Sequence, residues 1–188
     1  MANKNTQGFG LISGDRLGNT PAISGQSKYF IDAGTATVIY NGGAVKSASG
    51  YIVEGQGSAA PVIGVLNGVF FNAATTLKPT FANFYSGSIT PANSEDITAF
   101  VNDDPFQNYI VATDAAAAQA VFLETFDMNT SAGSTTTGKS SATLDIGTTS
   151  ADGKQYRLLR SAEDPENSDA TVAFASVVVV ANLLELQS

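Results

Sequence analysis

Cysteine, histidine and tryptophan are all absent from the 188 residues. Without cysteine there are no disulfides, no thiolate metal sites and no sulfur nucleophile, so stability has to come from packing and association. Losing histidine removes the commonest general base and the commonest metal ligand together, and no triad that depends on an imidazole can be assembled. Charge is also scarce. Only 14% of residues are charged, against the roughly 25% usual for soluble domains. The balance of 9 Lys+Arg against 17 Asp+Glu gives a net charge of −8, which repels a phosphate backbone, so nucleic acid is not an expected partner. Long apolar runs are missing as well. The most apolar stretch, 171–186, is broken by Ser176, Asn182 and Glu185, falls short of a bilayer span and reads as one or two buried valine-rich strands, so no membrane partner is expected. The first residues carry no basic, apolar sequence of the secretory kind.

What the chain does have is glycine, serine, threonine and asparagine, distributed in two ways. The stretch 8–30, "GFGLISGDRLGNTPAISGQSKYF", has five glycines and one proline among isolated apolar residues, and neither a 3.6 nor a 2.0 period fits it. A disordered tail is normally poor in residues such as Phe9, Leu11, Ile12, Leu17 and Ile23. The segment 1–27 therefore reads as an extended N-terminal arm. Its apolar residues either pack on the chain's own body or enter grooves on a neighbour.

Beyond it, 28–188 reads as one β-rich domain. Short apolar or alternating runs at 28–31, 36–40, 50–55, 64–73, 79–87, 96–105, 107–113, 141–146, 155–160 and 171–186 are separated by Gly, Asn, Asp, Pro and Ser. Asn41-Gly42-Gly43 is a hairpin-type turn signal, and Gly68 inside 64–73 marks a bulge or bend. In 96–105, Ile97, Ala99 and Val101 alternate with Thr98 and Phe100, which gives one apolar face with Phe100 projecting from the other. The segment 114–126, an aspartate followed by alanines and then Val121, Phe122 and Phe126, favours a helix over a strand. The expected architecture is all-β, a mainly antiparallel barrel or sandwich with at most one or two short helices.

Candidate chemistry is sparse. The acidic segment 163–169 gathers four carboxylates and Asn167, and Asp164, Glu166 and Asp169 offer oxygen ligands for Ca2+, but the spacing is not that of an EF-hand, and a solvated turn is the favoured reading. Asp103 and Asp104 read as part of a turn, and adjacent residues that point away from each other do not form a shared-proton dyad without a group from elsewhere. The glycines of 55–60 lack the Lys-Ser/Thr of a phosphate cradle. No catalytic residues, cofactor or metal are therefore expected. A glycan- or receptor-binding β-module is the alternative from another class, with Tyr40, Tyr51, Tyr85 or Tyr109 as stacking faces.

In order along the chain, the leader "GFGLISGDRLGNTPAISGQSKYFI", "ATVIYNGGAV", "GVLNGVFFNAATTLKPTFANFYSGS", "DITAFVNDDP" and "DPENSD" resemble virion structural proteins of tailed bacteriophages. Within that group the chain is most similar to the capsid decoration, or cement, proteins of short-tailed phages. The resemblance implies a non-enzymatic protein on the outer surface of the capsid, made in the host cytoplasm and commonly a homotrimer. Its partner is the major capsid protein, whose subunits it bridges with terminal arms, and Phe9, Leu11, Ile12, Leu17 and Ile23 are the candidate capsid-binding residues. Another virion component, a minor capsid or tail protein, is the nearer alternative.

Overall fold

The computed structural model describes residues 3–18, 20–21, 25–57, 60–129 and 133–187. Two antiparallel six-stranded sheets pack together as a sandwich, so of the two expected all-β forms the chain takes the open one. The first sheet orders its strands β1 (Ile12–Arg16), β8 (Gln107–Ala112), β12 (Ser176–Ala181), β11 (Tyr156–Ser161), β9 (Thr125–Met128) and β10 (Leu144–Ser150). The second runs β2 (Ser27–Ile31), β7 (Ile97–Asn102), β5 (Gly64–Asn72), β3 (Ala44–Ala48) and β4 (Tyr51–Glu54), with β6 (Pro79–Ala82) on the far half of β5. The whole second sheet is thus inserted between β1 and the rest of the first. The register makes this plain, with Ile12 opposite Ile110 and Ser13 opposite Tyr109.

Two cores result. One lies on the inner face of the first sheet, where Tyr109, Val111, Phe126, Met128, Leu144, Leu158, Val177 and Val179 meet Ala44 and Val65 from the second and Val62 from the segment before β5. The other is enclosed by the second sheet, whose end strands β2 and β4 curl into contact around Ile31, Ile52, Leu66, Val69, Ile97, Ala99 and Val101. The alternation read in 96–105 is realised in β7, where Ile97, Ala99 and Val101 are fully buried. The bulge expected at Gly68 is there too, as a register shift between Leu66 and Gly68 against β7. The C-terminal valines form a single strand, β12, with Val177 and Val179 inside.

Two expected elements take other forms. The segment 114–126 holds no α-helix; one 3-10 turn, Gln119–Val121, precedes β9. Tertiary bonds override alanine's helix preference here: Ala117 is fully buried and donates its N–H to Ala170 O (2.9 Å), while Leu123, at φ 69°, donates to Leu158 O (2.8 Å). The run 36–40 is no strand either, since only Ile39 bridges, to Tyr85. The turn after it closes as expected, with Gly43 N–H on Tyr40 O at 3.0 Å, but it has a ladder on one side only.

Candidate functional site

The leader described at residues 3–18 lies on its own sandwich. Asn3 donates to Asp169 O (3.1 Å) and Ala173 O (3.0 Å), Asn5 N–H bonds to Asn167 Oδ1 (2.7 Å), and Lys4 pairs with Glu166. Further on, Gly10 N–H meets Ala142 O (3.1 Å) and Leu11 N–H meets Gly42 O (2.8 Å), so the segment crosses from one sheet to the other before entering β1. Glycine is required for that path. A Cβ on Gly8 would sit 2.2 Å from Ser141 O, and Gly10 has φ +74° with Ser140 Cβ 2.7 Å from its own would-be Cβ.

The far end of β1 is fixed by charge and amide bonds. Arg16 Nε lies 2.6 Å from Asp104 Oδ2, with its guanidinium over the Phe106 ring, and Gln107 Nε2 donates to Gly14 O at 2.6 Å. The 102–107 turn that carries the chain between the sheets is therefore clamped to the leader strand. Across the same turn, the Tyr29 hydroxyl donates to Asp103 Oδ2 (2.8 Å), and burial together with that carboxylate pushes the phenol up to about 12.

The five apolar leader residues consequently divide. Leu11 is 3% exposed and belongs to the first core, so it is not available to a neighbour. Phe9 and Ile12 flank it and stand between two hollows. One, of about 280 Å3, lies at the seam of the sheets with Gln26, Asn41, Asn67 and Asn102 among its lining residues. The other, of about 240 Å3, lies on the outer face of the first sheet with Asn5, Ile110, Ala162 and Asp164. It continues through Ile110 and Ala162 into a third hollow bordered by Asp15, Arg160 and Asn108. Asn108 is buried beneath it, 5% exposed. Leu17 is exposed at the other end of β1, its N–H on Phe106 O (2.9 Å), away from Phe9 and Ile12. Ile23 lies outside the described residues.

A second apolar surface escaped the sequence reading apart from one of its members. On the face of the second sheet turned away from its core, Phe30, Thr98, Phe70 and Phe81 fall in one cross-strand row. Phe100 lies beside Phe81, ring centres 6.0 Å apart. Phe30 and Phe81 are 52% and 64% exposed. The alternation that marks Phe100 as outward holds the signal for Phe30 too, but placing Phe70 and Phe81 in the same row needs the bulge at Gly68 and the β5–β6 register.

The acidic segment 163–169 forms a turn around Asp164, which accepts from Asn167 Nδ2 (2.8 Å) and Glu166 N–H (3.0 Å); the Asn167 amide, then the Glu166 N–H, holds its carboxyl below the usual range. Among the described residues, no three carboxylates converge as a metal site would require. The tyrosines weighed as stacking faces are largely inside: Tyr85, Tyr109 and Tyr40 are buried, which leaves Tyr51 at the surface margin with its hydroxyl on Asp96 (3.3 Å). No protein family, curated protein or solved structure matches the chain.

Proposed function

We propose that this protein is a non-enzymatic capsid decoration protein of a bacteriophage, bound to the outer surface of the head and bridging major capsid subunits. The observation that carries the reading is the leader ridge: Phe9 and Ile12 held up between two hollows while Leu11 pins the backbone beneath them. A rigid ridge with apolar flanks binds a protein surface without paying to order a free arm, because the chain's own core has already ordered it. The acidic balance suits a protein-facing position over a DNA-facing one. Each such ridge is a modest grip. Several copies on a repeating shell supply the durability through effective concentration.

The test is co-sedimentation with expanded heads of the encoding phage. Ile12 is 51% exposed, so Ile12→Asp leaves folding intact and is expected to weaken attachment by about tenfold or more by setting a charge in an apolar contact. Removing the whole leader is the wrong experiment, since it also deletes β1 and the Leu11 anchor. Undiminished binding of Ile12→Asp combined with Phe9→Ser overturns the reading.

A further inference from the structure

The leader ridge leaves the phenylalanine face of the second sheet without a role. We infer that this face is a two-fold contact between two copies of the chain. Four phenylalanines together offer on the order of a few hundred Å2 of apolar surface, the extent at which an exposed patch marks a contact, and the polar residues around them must supply the rest of the roughly 800 Å2 a side that a stable pair buries. What selects a second copy as the occupant is the charge pattern along the strands. The outward positions of β2 read Lys28 and Phe30, with Asp32 one residue past the strand end. Ile31 pairs with Ile97, so Asp32 sits beside Asp96 at the same end of the sheet, and both carboxylates raise the Tyr51 phenol. Glu95 closes that end, accepting from Asn72 Nδ2 (3.3 Å), with Lys78 at the corner beside β6. The phenylalanine row thus has a cation, Lys28, on one side and mainly carboxylates on the other.

Along β2 that arrangement is complementary to itself. Rotating a second copy by half a turn about an axis along the row reverses strand direction and leaves the row facing its own image. Phe30, Phe70 and Phe81 then meet their counterparts, Lys28 of each copy comes opposite Asp32 of the other, and Asp96 comes opposite Phe100, so the charge match rests on the two Lys28–Asp32 pairs. An unrelated acidic or basic surface would match only one end of the pattern. The contact is two-fold, so it makes pairs where the phage resemblance implies threes.

Analytical ultracentrifugation of the full chain tests this. The wild type is expected to sediment at twice the 19.3 kDa chain mass. Phe81→Ser, on an exposed edge strand, is expected to weaken pairing by about tenfold or more, and Lys28→Asp to weaken it by setting carboxylates against each other. Lys28→Asp with Asp32→Lys restores complementarity and is expected to restore the pair, which a merely structural role for either residue does not predict. Thermal unfolding checks that each variant folds, and the charge series stands alone if Phe81→Ser does not. A wild type that sediments as a single chain or as a trimer, pairing untouched by Lys28→Asp, or a double swap that fails to rescue overturns the inference. So does a Phe81→Ser protein of unchanged size that no longer binds heads, because the face would then belong to the shell. Shell binding through Phe9 and Ile12 is read in a separate assay, so either proposal can fail without the other.

Discussion

At the scale of single residues, Gly8 and Gly10 of the leader are steric necessities. Gly8 presses its Cα against the 141–143 backbone so closely that a methyl group would overlap Ser141 O at 2.2 Å and Ala142 O at 2.7 Å. Backbone oxygens cannot swing aside as a side chain can. Gly8→Ala is therefore expected to lift the leader and lower stability by about 1–3 kcal/mol, the range for overpacking a close contact. Urea denaturation checks it, and a stability change under a few tenths of a kcal/mol refutes the packed path of the leader. The same substitution should disturb Phe9, one residue on, and under the proposed function weaken attachment to heads with it. Glycine's abundance is visible in the sequence, but the need for it at Gly8 is not, because the surface that Gly8 approaches lies more than a hundred residues further along the chain.

At the scale of elements, β1 and the segment before it are held by two different kinds of bond. The Arg16–Asp104 pair and the Gln107 amide hold one end through partly buried groups. The other end depends on the turn 163–169, where Asn3 and Asn5 dock on groups that Asp164 and Asp169 organise. Both carboxyls are held below the ordinary aspartate value, Asp164 chiefly by Asn167 and Asp169 chiefly by the Thr171 hydroxyl and N–H. A depressed folded-state value means that the contribution is complete above the ordinary aspartate pKa and disappears as pH falls through the lower folded one. Acidification below the usual carboxylate range is thus expected to free residues 3–5 before the sheets respond. Amide chemical shifts of Lys4 and Asn5 moving ahead of those of β12 are the readout; simultaneous change argues against a separate clip.

Legibility at this scale followed locality. The strands β2, β4, β5, β7, β8, β11 and β12 stood out because burial on one face imprints alternation or a valine run on neighbouring residues. β1 did not. "ISGDR" has no period, and its place is set by a partner strand across the whole second sheet. The alanines of 114–126 mislead for the same reason: what holds them is the carbonyls of Ala170 and Leu158, not their own helix propensity. Of the candidate site, composition suggested that the leader's apolar residues matter but could not show that Leu11 faces inward while Phe9 and Ile12 do not, since three residues with no regular period carry no face.

Over the whole molecule, the two cores are stitched through shared strands. Adjacent residues of β3, Ala44 and Val45, fall in different cores, and so do Val65 and Leu66 of β5. Neither core can be taken apart while leaving these strands in place. Leu144→Ala in the first core and Ile97→Ala in the second are each expected to cost about 2–5 kcal/mol and to lower one common thermal transition. Differential scanning calorimetry that resolves two peaks in either variant would separate the sheets into independent units.

The insertion of the second sheet between β1 and β8 also sets an order of events on the ribosome. β2 through β7 emerge as an uninterrupted block whose pairings are all internal, whereas β1, made before any of them, has no partner until β8 leaves the exit tunnel. β1, made before the strands it waits for, is thereby among the last to find its place, and Phe9 and Ile12 take up their positions between the two hollows only when the newborn chain has closed back on it.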